Sequence, residues 1–171
     1  MIEFEWRKLI RGITIFIITF FIMGCSDNSV SQKQPNILVI IVDDLAYTDL
    51  GVFGGEIGTP NLDKLANKGI KLSNYYVAPT CSPTRAMLLS GVDNHLAGMG
   101  TMHNEQSDNQ KGRPGYEGYL NFQVAALPNI LKDNNYHTYM TGKWHLGYEE
   151  NNSPSARGFD RSYALLSGGA G

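Results

Sequence analysis

The sequence predicts a loop-rich α/β protein organised on a mostly parallel sheet with helices on its faces. Three observations carry that prediction. The run Asn36-Ile37-Leu38-Val39-Ile40-Ile41-Val42 is continuously apolar and rich in β-branched residues, so it reads as a strand buried on both faces, as parallel sheets require. Two segments, opening at Thr59-Pro60 and at Ser82-Pro83, carry a capping residue, a helix-starting proline and a terminating glycine, Gly69 and Gly91. Nineteen glycines in 171 residues supply more turns than a helical bundle uses.

Composition narrows the class. With 42% hydrophobic and 18% charged residues the chain can bury a core, which excludes a disordered or collagen-like protein. The net charge of −2 and scattered Lys and Arg give no electrostatic footprint for nucleic acid. Two cysteines cannot build a disulfide framework.

Residues 1–24 read as a targeting segment rather than as fold. Arg7, Lys8 and Arg11 precede the apolar stretch Ile13 to Met23, which is too short to span a bilayer, where about 20 residues are needed. The stretch closes in Ile22-Met23-Gly24-Cys25, which resembles a bacterial lipoprotein signal with Cys25 as the lipidated residue. An uncleaved anchor and a plain secretory signal are the alternatives. All three export the remainder to the periplasm or cell envelope. Residues 25–34 form a polar tether, and 35–171 carry the fold.

Within that region the apolar strand ends in Asp43-Asp44, and open α/β sheets place ligands at the carboxyl ends of their strands. The helix opened by Thr59-Pro60 is expected to bury Leu62, Leu65 and Ala66. Ile70 to Val77 alternates imperfectly and reads as a strand. Residues 92–121 form a long irregular loop containing His95 and His103, of a length that is usually functional. A helix over Leu127 to Asn134 and a strand over His137 to Thr141 follow, the strand leading into Gly142-Lys143-Trp144-His145-Leu146-Gly147. The stretch ending in Ser167-Gly168-Gly169-Ala170-Gly171 closes no element.

Four groups of residues could carry chemistry. Cys81 lies at the start of the Pro83 helix, whose free N–H groups favour an anion, and Arg85 is one turn on along the same face. Asp43 and Asp44 offer the hard oxygens that calcium or magnesium takes. Lys143 and His145, two apart, face one side if the backbone stays extended, giving an anion holder and a proton carrier. Taken singly, each has an ordinary explanation: an inert Cys beside a surface Arg, solvated acids, a solvated Lys, a structural His. The three residues between Cys81 and Arg85 are too few for the phosphate loop of a Cys-dependent phosphatase, and no Cys or His pair stands at zinc-ligand spacing.

In combination they resemble a known family. Cys81-Ser82-Pro83-Thr84-Arg85 resembles the sulfatase signature C-x-P-x-R. In chain order, the segment Pro35 to Asp44 is similar to that family's opening strand, Gly58-Thr59-Pro60-Asn61-Leu62-Asp63 to its first helix start, and Gly142 to Gly147 to its second signature. Asn94-His95 to Met102, Pro114 to Tyr119 and Ala156-Arg157-Gly158-Phe159-Asp160 are similar to the bacterial arylsulfatase branch. The resemblance implies an alkaline-phosphatase-like fold and hydrolysis of sulfate esters, aryl-type or carried on a glycan.

It also implies roles. Cys81 would be converted by a maturation enzyme to formylglycine, whose hydrate offers one hydroxyl to attack sulfur and a second to release sulfate as the carbonyl re-forms. Asp43 and Asp44, with the modified Cys81, would bind a divalent cation, calcium with magnesium as the alternative. Arg85 would hold the modified side chain, Lys143 would contact the sulfate, and His145 would serve its proton traffic. A phosphomonoester or phosphonate hydrolase of the same superfamily and an inactive anion- or metal-binding lipoprotein are the competing readings. The match covers residues 35 to about 165, the front of the family's catalytic domain, so further metal and substrate ligands are not among these residues. A sheet truncated there would keep an unpaired edge and uncovered apolar faces, so the chain alone is expected to be poorly stable and weakly active.

Overall fold

The computed structural model describes residues 34–169. The targeting segment 1–24, Cys25 and the tether up to residue 33 lie outside the described residues. The chain divides into two compact units, 1–41 and 42–171. In the first, residues 34–41 have no regular structure and Ile37 to Ile41 are exposed, Leu38 to 84%. The strand expected over 36–42 is therefore not formed among the described residues. A strand exists by its ladder, and no strand described here pairs with it.

Among the described residues the second unit contains three helices and two strands. Helix α1 spans Pro60–Lys68, α2 Cys81–Ser90 and α3 Leu127–Asp133; β1 spans Tyr139–Lys143 and β2 Arg161–Leu165. Single 3₁₀ turns lie at Tyr47–Asp49, Gly51–Phe53, His103–Glu105 and Glu150–Asn152. The two strands pair in parallel, with Tyr139 opposite Arg161 and Lys143 opposite Leu165. The parallel sheet with flanking helices agrees with the sequence, but β2 was not legible there.

Helix α1 forms where expected, yet Thr59 does not cap it with its side chain. Its hydroxyl instead accepts from Gly51 N–H (2.9 Å) and donates to Asp63 Oδ1 (2.8 Å), which also accepts from Val52 N–H. The expected apolar stripe is not buried: Leu65 is 66% exposed and Leu62 also faces solvent. Residues 70–77 make no strand and are exposed throughout. Apolar pattern alone buries a face only where another element meets it.

Helix α2 starts two residues ahead of the expected Pro83: Thr80 rather than Ser82 takes the N-cap position, and Cys81 is already helical. Pro83 falls in the first turn, where an amide donor would have no intrahelical partner. Gly91 ends the helix at φ 71°, donating its N–H to Met87 O.

The core consists of Ala86, Ala97, Met99, Leu120, Ala126, Trp144 and Leu146, flanked by Leu89, Val124, Met140 and Phe159. The 92–121 loop is irregular, as expected, but two of its segments, 97–99 and 118–121, turn inward. Asn121 N–H donates to Ala97 O, Gly118 N–H to Gly98 O, and Leu120 N–H to Leu146 O. These bonds replace a ladder and let Met99 and Leu120 pack against Trp144. Trp144 is held further by Nε1–H donation to Asn152 O at 3.0 Å.

Candidate active site

Asp43, Asp44, Cys81, Arg85, Lys143 and His145 all belong to the second unit, and the fold brings them together. Carboxylate oxygens of Asp43 and Asp44 and the Cys81 Sγ lie within 4.8 Å of one another. Adjacent residues of an extended chain would send their side chains to opposite sides. Asp44 has φ 53°, in the left-handed region that Asp tolerates, and this bend lets both carboxylates approach one point. Two carboxylates beside a sulfur-bearing side chain at the head of α2 fit a hard divalent cation, since the acids supply the oxygens such an ion takes.

Two cations border this cluster. Lys143, last in β1 and only 15% exposed at its side chain, donates from Nζ to Asp43 Oδ2 at 2.7 Å. Burial pulls the Lys143 ammonium down, but its hydrogen bonds to Asp43 and Cys81 and their charge outweigh it, leaving its pKa raised. The Asp43 carboxyl is lowered, chiefly by the Lys143 hydrogen bond, with Cys81 and Arg85 adding to it against desolvation. Arg85 is buried. Its Nε donates to Trp144 O at 2.8 Å and its Nη2 to Lys143 O. An isolated surface Arg is thereby set aside: the guanidinium is locked to the backbone that carries Lys143. Burial lowers its pKa, opposed by Asp43 and Cys81.

His145 departs from the extended geometry that would align it with Lys143. Its φ is 56°, so the backbone turns over at this residue. The side chain still enters the same field. Burial first, then the charges of Lys143 and Arg85, lower its pKa, with Asp43 opposing. It is therefore a neutral imidazole near pH 7, and its Nδ1 is buried without a partner among the described residues.

Gly168 was not singled out by the sequence. A Cβ there would stand 2.5 Å from His145 Cε1 and 2.7 Å from Nε2, so the backbone at 168 passes too close to the imidazole for any side chain. Trp144 and Lys143 also act through carbonyls, which carry no residue-specific signal. His95 and His103 are exposed; His95 engages Asp93 and Tyr116 of its own loop, and the His103 ring meets Tyr148 from beyond β1.

The profile of the sulfatase family matches residues 35–170. The chain belongs to the sulfatase family. It is 55% identical over 141 residues to an uncharacterized sulfatase of Schizosaccharomyces pombe, covering 81% of this chain and 26% of that protein. It is 43% identical over 148 residues to an arylsulfatase of Klebsiella aerogenes, covering 86% and 32%. Among solved structures it is similar to Ps i-CgsB, with TM-score 0.68 and 37% identity over 80% of this chain and 29% of that one. Ps i-CgsB in complex with k-i-k-neocarrahexaose matches at TM-score 0.62 and 36% identity, covering 74% and 27%. The sulfatase chain described here thus spans about a quarter to a third of the length of these relatives. Its fold is the α/β, alkaline-phosphatase-like fold of sulfatases, represented by its front portion.

Proposed function

We propose that this sulfatase is a sulfuric ester hydrolase of the arylsulfatase type, with Cys81 as precursor of a formylglycine and Asp43 and Asp44 as ligands of a divalent cation, calcium with magnesium as the alternative. One observation carries the reading: two carboxylates and the cysteine of C-x-P-x-R converge within 4.8 Å, bordered by a locked Arg85 and a paired Lys143, in a chain of this family. Formylglycine would supply the attacking hydroxyl and the cation would polarise sulfuryl oxygens.

The chain's own residues do the rest. Asp43 and Asp44 hold the cation. The Lys143 ammonium stays charged and has further N–H donors for a sulfuryl oxygen. Arg85 adds fixed positive charge from beneath without moving, since both of its bonds are to backbone. Neutral His145 can accept a proton at one ring nitrogen and return it to the leaving alcohol.

The oligosaccharide bound to Ps i-CgsB supports sulfated glycans as the substrate class, and the arylsulfatase relative supports aryl sulfates. Cys25 is read as the lipid anchor of an exported protein, and a formylglycine-generating enzyme is its maturation partner.

Expression of the full chain with such an enzyme, followed by peptide mapping of Cys81-Ser82-Pro83-Thr84-Arg85, tests this. The expected result is the mass loss of thiol to aldehyde at residue 81, with cation-dependent release of sulfate from an aryl sulfate faster than phosphate from the matching aryl phosphate. An unaltered thiol overturns the reading, and faster phosphate release reassigns it to the phosphoesterase branch.

A further inference from the structure

Beside the turn that follows Trp144, the structure contains a concavity of about 800 Å³ distinct in its residues from the Cys81 cluster. That is the size of pockets that hold drug-sized ligands. The rings of His103, Tyr119, Phe122 and Tyr148 stand on its walls together with Glu117, Glu149 and two asparagines.

Phe122 decides what the concavity is built for. The residue is 61% exposed, although an unstacked Phe in water is unfavourable. Beneath it, Arg157 is 3% exposed, with Cζ 4.5 Å from the ring centroid. Arg157 is itself fixed, donating from Nη2 to Val124 O at 2.8 Å. The ring is therefore clamped on one face and open on the other, which makes it a platform. Also on the lining, the His103 ring lies tilted against Tyr148 with centroids 5.4 Å apart. Of the two carboxylates on the lining, Glu149 is exposed to it, whereas Glu117 Oε2 is turned into the protein and has no hydrogen-bond partner among the described residues.

The charges select the ligand. Two carboxylates and no Lys or Arg among the lining residues repel a sulfate or phosphate. Arg157 behind Phe122 already draws on the ring's electron-rich face and repels a second cation placed over it. What remains is a neutral polyol with an apolar C–H face for the ring and hydroxyl donors for Glu149. We infer that this concavity binds an unsulfated sugar unit of a glycan chain. The inference rests on the proposed function for its role, since the neutral unit would anchor a glycan whose sulfate is cleaved at Cys81.

Calorimetric titration of the full chain carrying Cys81→Ala tests binding without any need for formylglycine, so failure here and failure of the hydrolase reading are separable. The probes are unsulfated hexasaccharides of galactose, of glucose and of N-acetylglucosamine, a hexasaccharide sulfated on every unit, and choline. At least one neutral probe is expected to bind, and Phe122→Ala is expected to weaken it about tenfold, as loss of an aromatic platform does. Glu149→Lys, at an exposed position, is expected to raise affinity for the sulfated probe. Absence of binding by all three neutral probes, neutral binding indifferent to Phe122→Ala, or a larger Phe122→Ala effect on the sulfated probe or on choline would overturn the inference.

Discussion

At the scale of single residues, the site is assembled by backbone turns as much as by side-chain type. Three non-glycine residues among those described have positive φ, and two of them are Asp44 and His145. Such conformations cluster where surrounding structure enforces them. The acid pair, the cysteine and the Lys-His pair were legible as residue types in motifs; their left-handed turns were not, because Asp and His occupy such turns only occasionally. Gly168 is the sharpest residue-scale test. Replacing it with Ala drives a methyl group into the His145 ring. The expected outcome is a displaced His145 imidazole signal by NMR and, under the proposed hydrolase function, a turnover at least about tenfold lower, the scale of a lost proton carrier. Arg85→Ala removes two donors to buried carbonyls and should destabilise the protein by about 3 kcal/mol, read from the urea midpoint.

Elements join through a few charged or polar clamps. Asp160 bonds Thr138 N–H at 3.0 Å, Lys132 of α3 at 3.0 Å and His137 at 3.3 Å, so one carboxylate ties α3 to the starts of β1 and β2. Thr138 first, then Lys132 and His137, hold its pKa at about 2 against desolvation. An unfolded Asp titrates at ~3.9. The folded pKa is lower, so this carboxylate stabilises the protein above ~4 and loses that contribution as pH falls towards about 2. Asp160→Asn should therefore lower the urea midpoint at neutral pH, and the gap to wild type should close near pH 2. A gap independent of pH would refute the clamp. Helix α2 offers a second element-scale test: Ala at Gly91 must take φ 71° and should cost about 1 kcal/mol. The Pro and Gly punctuation made α1, α2 and α3 legible to within a residue or two. Strand β2 was missed because Arg161-Ser162-Tyr163-Ala164-Leu165 is short and mixed, and becomes a strand only through its ladder with β1.

For the molecule as a whole, the apolar residues divide into those the second unit buries and those it leaves at the surface. Leu146 is in the core, so Leu146→Ala should cost about 3 kcal/mol. Leu65 is not, and Leu65→Ala should stay within about 0.5 kcal/mol in the same urea titration. Periodicity suggested a different emphasis, placing Leu62 and Leu65 inside and marking no core position in the irregular 92–121 loop. The loop won because its backbone is satisfied internally, through Ala97, Gly98 and Gly118, which frees Met99 and Leu120 to pack.

The amino-acid sequence alone determined the family, the helices and the residue types of the site, because caps, prolines, glycines and short motifs act over a few positions. Only the tertiary structure decided which groups meet. Lys143 reaches Asp43 across 100 positions and Arg85 reaches the Trp144 carbonyl across 59. Contacts at such separations depend on how the chain returns upon itself, and no local pattern encodes that path.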